Sequence, residues 1–385
     1  MICGTITSLT VVLIVFFLFK EGLGVFNKKA VEEGYVVMVN KSNPVNSISP
    51  EDIKNIFDSK ITSWKDLGGK NDSIILFRLE DISNYFTDEQ IGENFEGLPL
   101  LLNRVVDSIP QILAFFPEKY LGKNFKGREI EAGKITFSTF FGGKEWFPTA
   151  QPAAQLGVMP LVMGTLWVSL GAILLALPLG LAAAIFLSEI AKDKVRRVMK
   201  PLIELLAGIP SVVYGFFGLV VIVPAIQKLF NLPVGETGLA GSIILGIMAL
   251  PTIITISEDA MRNTPRAMKE ASLALGASKW QTIYKIVIPY SISGISAAAI
   301  LGIGRAIGET MAVLMVTGNA AVIPTSILEP MRTIPATIAA ELGEAPDGGL
   351  HYKALFALGC ILFIITLVIN LIVEFISGSK KNRRV

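Results

Sequence analysis

Six apolar runs, each close to the length that crosses a bilayer, constrain this chain more than any other feature of its sequence. They cover residues 2–19, 158–187, 203–226, 239–256, 288–315 and 355–376. About 20 consecutive apolar residues let a helix span the hydrocarbon core. Hydrophobic residues make up 52% of the 385 positions, which is high for a soluble protein of this size. The sequence therefore predicts an all-α polytopic membrane protein with six transmembrane helices.

A long hydrophilic stretch, residues 21–156, separates the first two runs. It mixes basic and acidic side chains, and short apolar segments with strand or helix period recur in it. We therefore expect a folded α/β insert between the first two spans rather than a disordered linker. The predicted elements are strands at Tyr35–Val39 and 74–79, a helix that starts at Ser49, and a helix over 104–116 that Pro110 bends or splits.

The distribution of basic residues predicts how the chain crosses the membrane. Basic clusters follow the second run, at 192–200, and the fourth run, at 262–285, and another lies in the tail, at 380–384. Cytoplasmic loops carry such an excess of lysine and arginine, so we expect both termini in the cytoplasm and the insert outside. The first run lacks a basic start and a clear cleavage site, which favours a retained span over a signal peptide. The predicted domains are 1–20 (first transmembrane helix), 21–156 (extracytoplasmic insert), 157–377 (transmembrane domain) and 378–385 (basic cytoplasmic tail).

Composition excludes several classes of function. The net charge is only +2, so bulk charge indicates no nucleic-acid partner. Cys3 and Cys360 both fall in predicted spans, which predicts neither a disulfide nor a metal site. His351 is the only histidine, which excludes a histidine cluster or triad within this chain. No Gly-x4-Gly-Lys-Ser/Thr run is present, so the chain is predicted not to hydrolyse ATP by itself.

The polar stretch between the fourth and fifth runs, residues 270–289, has a distinctive spacing. A Glu-Ala-Ser start is followed by Gly276, where glycine permits a break between two short helices. Leu273, Leu275, Trp280 and Ile283 provide a face that could be buried. The stretch resembles the EAA loop of ABC-importer permeases, which implies that it docks on a cytoplasmic ATPase. The candidate coupling residues are Glu270, Ala271, Ser272, Gly276, Ala277, Trp280, Ile286 and Pro289.

Two charges lie inside the fifth run. Arg305 and Glu309 are four residues apart, which predicts one shared helix face. An unpaired charge at the bilayer centre costs ~3 kcal/mol, so these side chains should face protein or a water-filled path. They could bind an anion in transit, with Thr310 beside them, or could form a salt bridge that locks two helices. Gly304 and Gly308 could admit a second helix closely. Together with Pro178 and Pro210, these glycines are the predicted hinges of the helices.

Residues 304–313 (Gly-Arg-Ala-Ile-Gly-Glu-Thr-Met-Ala-Val), with Gly318-Asn319 and residues 204–218, resemble the phosphate-specific ABC permease subunit of the PstC type. The resemblance implies a multi-pass protein of the cytoplasmic membrane with the type I ABC-importer permease fold, and phosphate as its substrate. It also implies a homologous second permease subunit as a heterodimer partner. Two ATPase subunits would bind ATP and Mg, and a soluble phosphate-binding protein would deliver the anion, so no cofactor is expected in this chain. Two alternatives remain open: a permease for molybdate, sulfate or phosphonate, and a membrane receptor that senses through the insert.

Part of the insert has a resemblance of its own. Residues 43–78, from Asn43-Pro44 to Arg78, resemble a segment of extracytoplasmic phosphate-binding proteins. The anion-binding loops of that family do not follow in recognisable form, and Arg78 is followed by Leu79-Glu80-Asp81, whose two carboxylates suit an anion poorly. The segment could be a docking module for the soluble receptor, a second substrate site, or a spacer.

Overall fold

The computed structural model describes residues 2–378 apart from 33, 93 and 123, without the side chains of residues 2–4, 132 and 376–378. The predicted basic tail, 378–385, therefore lies outside the described residues except for the backbone of 378. The chain divides into two compact units. One unit comprises residues 1–158 with 345–357, and the other comprises residues 159–344 with the chain from 358 on.

The first unit begins with a long apolar helix and continues in short strands and helices. Its helices are α1 (Ile2–Leu23), α2 (Pro50–Phe57), α3 (Asp88–Ile91), α4 (Leu98–Ser108) and α5 (Phe137–Gly142). Its strands are β1 (Tyr35–Val39), β2 (Ser47–Ile48), β3 (Ile75–Arg78), β4 (Ile112–Pro117), β5 (Arg128–Glu129), β6 (Glu131–Ala132), β7 (Trp146–Phe147) and β8 (Gln155–Leu156). Single 3-10 turns lie at Gly24–Asn27, Trp64–Leu67, Leu79–Asn84 and Glu118–Tyr120.

A four-stranded mixed sheet with the order β3-β4-β1-β5 is the centre of this unit. β1 pairs antiparallel with β4 and β5, and β3 runs parallel to β4. Helix α4 places apolar residues at helical spacing against the sheet, and Leu102, Phe77 and Phe116 are fully buried there. The insert is therefore an α/β structure, as the sequence predicts.

Two local predictions in the insert have opposite outcomes. The predicted helix start is confirmed, because the Asp52 amide donates to Ser49 Oγ at 3.0 Å and caps α2. The predicted helix over 104–116 is wrong beyond residue 108. Ile109 is extended before Pro110, as a residue before proline prefers, and β4 follows. β4 is buried along almost its whole length, so it lacks the alternation that would have marked it as a strand.

The second unit is helical. Its elements are α6 (Met159–Ile185), α7 (Asp193–Ala207), α8 (Ser211–Phe217), α9 (Val223–Phe230), α10 (Gly238–Arg262), α11 (Arg266–Ala274), α12 (Lys279–Thr282), α13 (Ile288–Tyr290), α14 (Ile292–Gly308), α15 (Met311–Val316), α16 (Ile334–Glu341) and the part of α17 (Leu350–Gly378) from residue 358 on. Three π-helical segments lie at Phe186–Ile190, Gly218–Ile222 and Ile283–Val287.

Within the described residues, five helical stretches are long and apolar enough to cross a membrane. They are Thr5–Asn27, Met159–Ile190, Ser211–Phe230, Gly238–Arg262 and Leu350–Phe375. A sixth span exists if the pair Lys279–Tyr290 and Ile292–Gly308, bent by 69°, counts as one. The predicted six spans agree with this upper count.

Helix α10 is the central helix of the second unit and packs against α6, α7, α14 and α15. Glycines on α6 allow the close approach: a Cβ built at Gly171 would lie 2.4 Å from Ser242 Oγ, and one at Gly180 would lie 2.7 Å from Ile253 Cγ2. Small residues let membrane helices come together in this way. The packing of α6 on α10 therefore depends on positions where no larger side chain fits.

The breaks in the spans differ from the predicted ones. The third span begins at Ser211, not near residue 203, because α7 ends at Ala207 and a break through Pro210 separates the two helices. Helix α6 runs through Pro178 without ending. The predicted fifth run, 288–315, contains breaks at Ser291 and at 309–310. Apolar composition alone gives the extent of a run but not the places where its helix ends.

Candidate coupling loop and substrate pathway

The stretch between α10 and α14, which we call the coupling loop (residues 263–291), folds as two short helices around a glycine. α11 ends at Ala274, and Gly276 follows with φ +84°, a conformation that side chains other than glycine rarely adopt. Ser278 then caps α12, since its Oγ accepts from the Gln281 amide at 3.2 Å. The predicted break at Gly276 is confirmed.

The surface of the coupling loop is more exposed than predicted. Of the four residues expected to form a buried face, only Ile283 is buried, while Leu275 is 90% and Trp280 is 62% exposed. Glu270 and Ala271 are also exposed. The other candidate coupling residues are half-buried: Ser272, Ala277, Ile286 and Pro289. Nothing in the described chain covers this apolar surface, and a surface of this kind marks an interaction site.

Several contacts hold the coupling loop in place, and three of them are polar contacts that join its parts to one another and to neighbouring helices. The hydroxyls of Ser272 on α11 and Thr282 on α12 lie 3.0 Å apart. At the base of the loop, Ser291 Oγ donates to the Ala260 carbonyl at 3.0 Å. The Lys269 ammonium lies 2.5 Å from a Glu189 carboxylate oxygen in the π segment that follows α6. The two short helices are therefore joined to each other, to α10 and to α6.

A buried charge cluster, which the sequence does not predict, lies immediately before the coupling loop. Glu258 is 1% exposed and lies 2.8 Å from Arg196 Nη2 and 2.7 Å from Lys200 Nζ. Lys200 also lies 2.6 Å from Asp259. Burial acts to lower the pKa of Lys200, but hydrogen bonds to Asp259 and Glu258 outweigh it and raise this pKa above its usual range. The acidic pair at the end of an apolar run was the available signal.

The two predicted pathway charges do not share a helix face. α14 ends at Gly308, Glu309 is extended with ψ 137°, and α15 begins at Met311. Thr310 lies in the same break and donates through Oγ1 to the Gly308 carbonyl at 3.3 Å. Arg305 and Glu309 are both half-buried, and no ion pair joins them among the described residues. The i, i+4 prediction is wrong because the helix stops one residue before Glu309.

Open space borders α14 at the predicted small-residue positions. A Cβ built at Gly304 or Gly308 would meet no atom within 4 Å, whereas one at Gly302 would lie 2.9 Å from Ile253 Cγ1 on α10. Among the described residues, the predicted close approach of another helix to Gly304 and Gly308 therefore does not occur. One side of α14 is packed and another is free.

These features define a multi-span membrane component with an exposed loop that can receive a partner. The profile of the family described as binding-protein-dependent transport system inner membrane component matches residues 176–381, more than half of the chain. The chain belongs to this family. It is therefore a multi-pass transport subunit of the inner membrane, not an enzyme, in a system that depends on a binding protein.

Individual relatives indicate which kind of permease this chain resembles. The chain is 40% identical over 242 residues to the probable ABC transporter permease protein YqgH of Bacillus subtilis, covering 63% of this chain and 78% of the relative. It is 39% identical over 256 residues to the phosphate transport system permease protein PstC of Mesorhizobium japonicum, covering 62% and 77%. The membrane domain thus resembles permeases of the PstC type, as its sequence motifs indicate.

The insert matches a different family. The profile of the PBP superfamily domain matches residues 18–133, which include the segment predicted to resemble phosphate-binding proteins.

Among solved structures, the inward-facing MetNI methionine ABC transporter is 19% identical over 58% of this chain and 94% of that chain, with a TM-score of 0.43. The family membership of the chain does not rest on that distant likeness.

Proposed function

We propose that this chain is the permease subunit of an ATP-driven importer for inorganic phosphate and forms half of the translocation pathway. The observation that carries the proposal is Arg305, a half-buried guanidinium on a membrane helix with no ion-pair partner among the described residues and with open space at Gly304 and Gly308. The names of relatives that are 37–39% identical, phosphate transport permeases, support phosphate as the anion.

In this proposal the anion meets Arg305 part of the way across the membrane. The planar guanidinium offers a fork of donors that suits two oxygens of an oxyanion. Thr310 can donate to the anion if its hydroxyl turns away from the Gly308 carbonyl. The Glu309 carboxylate repels the anion and so keeps the site from holding it too tightly. A pathway site must bind well enough to admit the ion and weakly enough to release it.

The open side of α14 is where the proposal places the second, homologous permease subunit of a heterodimer. The exposed coupling loop, with Leu275 and Trp280 at its surface, would dock on one of two ATPase subunits that bind ATP and Mg. Both termini and this loop would then be cytoplasmic. With the helix breaks at Pro210 and at residues 309–310 as hinges, closure of the ATPases would rock the spans between outward-open and inward-open states.

The insert is proposed to lie outside, where it docks the soluble phosphate-binding protein. Its match to the PBP superfamily supports a receptor-related scaffold. Uptake should be compared between the intact chain and one from which the insert is deleted, with receptor supplied to both. Undiminished uptake without the insert would leave it as a spacer.

Reconstitution tests the main proposal. Co-purification in mild detergent should recover an ATPase and a second permease, and adding the receptor with phosphate should stimulate ATP hydrolysis. In proteoliposomes, unlabelled phosphate should suppress uptake of labelled phosphate, while molybdate, sulfate and phosphonates should not. Suppression by one of those anions at lower concentration than phosphate would reassign the substrate. Labelling of the Lys279→Cys variant by a reagent added outside would refute the proposed orientation.

A further inference from the structure

An ion pair connects the coupling loop to helix α6. Lys269 on α11 lies 2.5 Å from Glu189, and the two side chains are only 21% and 12% exposed. Among the described residues no other ion pair links α11 to a membrane-spanning helix. A charge pair shielded from water attracts more strongly than one at the surface, and charge-assisted hydrogen bonds are the stronger ones. A displacement of α11 would therefore be carried to the end of α6.

The base of the loop is held by a separate set of contacts. Glu258 joins the last turns of α10 to α7 through Arg196 and Lys200. Ser291 joins the start of α14 to the Ala260 carbonyl of α10. These contacts fix the base of the loop to α7, α10 and α14, and Val287 at the base also packs with Ala184 of α6. The first helix of the loop is joined to α6 by the Lys269–Glu189 ion pair.

The link meets α6 at a place where the helix is irregular. Glu189 lies in the π-helical segment Phe186–Ile190, which closes the transmembrane helix. π segments are single-turn insertions that often occur at functional sites. The neighbouring Ser188 hydroxyl donates to Met261 Sδ at 3.6 Å, so this segment also contacts the last turn of α10. The link therefore acts on an irregular segment that also contacts the last turn of α10.

We propose that the Lys269–Glu189 pair is a positioning contact that transmits movement of the coupling loop to α6. This inference rests on the proposed function, because it requires an ATPase to act on the loop. Neither residue belongs to the proposed anion pathway at Arg305. Proximity along a chain of contacts does not by itself demonstrate energetic coupling, so the pair must be tested as a pair.

Charge reversal gives that test. The variants Lys269→Glu and Glu189→Lys, and the double variant with both reversals, are assembled with the ATPase, second permease and receptor in proteoliposomes. The readout is ATP hydrolysed per inorganic phosphate imported. We expect each single reversal to raise this ratio at least about fivefold, and the double reversal to return it to within about twofold of the original chain. Lys194→Glu reverses an exposed cation of α7 and should leave the ratio unchanged.

The ratio of ATP hydrolysed to phosphate imported distinguishes a loss of coupling from a loss of folded protein. Loss of folded transporter lowers hydrolysis and import together and leaves the ratio unchanged. An unchanged ratio in both single variants, or a double variant no better than either, would overturn the proposal. If the reversals fail to assemble, Lys269→Gln and Glu189→Gln are measured by the same ratio. Failure of the original chain to import phosphate at all would instead refute the proposed function, so the two failures are distinguishable.

Discussion

Two charged sites on the membrane helices differ in how the surrounding protein compensates them. Glu258, near the end of α10, is 1% exposed and contacts two cations at 2.7 and 2.8 Å. Arg305, on α14, is half-buried with no ion-pair partner among the described residues. Space beside it, at Gly304, is open. The first charge is compensated inside the chain and the second is not.

This difference in compensation indicates whether each charge has a structural or a functional role. Burying an ion costs several kcal/mol unless a counter-ion and hydrogen bonds repay it. For Glu258, Arg196 and Lys200 are the counter-ions, and Lys200 also donates a hydrogen bond. A membrane charge without such compensation marks a functional site by default. Glu258 is therefore part of the architecture beneath the coupling loop, whereas the uncompensated charge of Arg305 supports our proposal that it meets a mobile anion.

The largest effect is expected from removing the compensated charge. Glu258→Ala leaves Arg196 and Lys200 without their buried partner, and breaking a buried pair in this way costs about 3–5 kcal/mol. Thermal unfolding of the purified complex should show a clear loss of stability. Asp259→Ala, at a side chain that is 55% exposed, is the matched control and should cost much less. Equal losses of stability for Glu258→Ala and Asp259→Ala would contradict the view that the buried pairing of Glu258 is a stabilising feature.

The next largest effect should appear in transport and not in stability. Arg305→Gln removes a hydrogen bond to a charged ligand, worth about 1.5–3 kcal/mol, which corresponds to roughly a 10- to 100-fold fall in phosphate uptake. Thermal stability should change little, because no internal ion pair is broken. Arg305→Lys keeps the charge but loses the planar fork. Its phosphate uptake should lie between that of the original chain and that of Arg305→Gln. Normal uptake by Arg305→Gln would show that the anion does not depend on this side chain.

Two glycines on α14 sharpen the contrast between its packed and open sides. Gly302→Leu should destabilise the chain by about 1–3 kcal/mol through overpacking, because a Cβ there would already lie 2.9 Å from Ile253. Gly304→Leu should leave the stability of this subunit unchanged and lower uptake, or co-purification of the second permease, instead. Both are scored by thermal unfolding and by uptake. A destabilised Gly304→Leu chain would mean that this side is packed after all.

The smallest effect concerns a charge pair in the water-exposed insert. Lys54 lies 2.6 Å from Glu145, and this hydrogen bond raises the pKa of Lys54 above its usual range. A raised lysine pKa adds stability below pH 10.5, which is lost as pH rises through the folded value. Lys54→Met should therefore cost about 0.2–1 kcal/mol at neutral pH, and less above pH 10.5, in thermal unfolding. A difference that does not shrink in alkali would contradict the pairing.

The local features of this protein could be read from its sequence. The β1 strand, the capped start of α2 and the break at Gly276 depend on near neighbours: a run of β-branched residues, a Ser49-Pro50 pair, and a glycine where φ is positive. The apolar runs followed from bilayer thickness. β4, within residues 104–116, is not recognisable as a strand, because a strand buried on both faces has no alternation.

The sequence by itself determined which segments lie in the bilayer, which lie in water, and where short-range turns form. Hydropathy and capping depend on only a few neighbouring residues. Only the tertiary structure decided that Glu258 meets Arg196 and Lys200, that Lys269 meets Glu189, and that α14 stops before Glu309. Ion pairs between helices depend on which faces pack together, and residues 58 to 80 positions apart leave no local pattern by which to find one another.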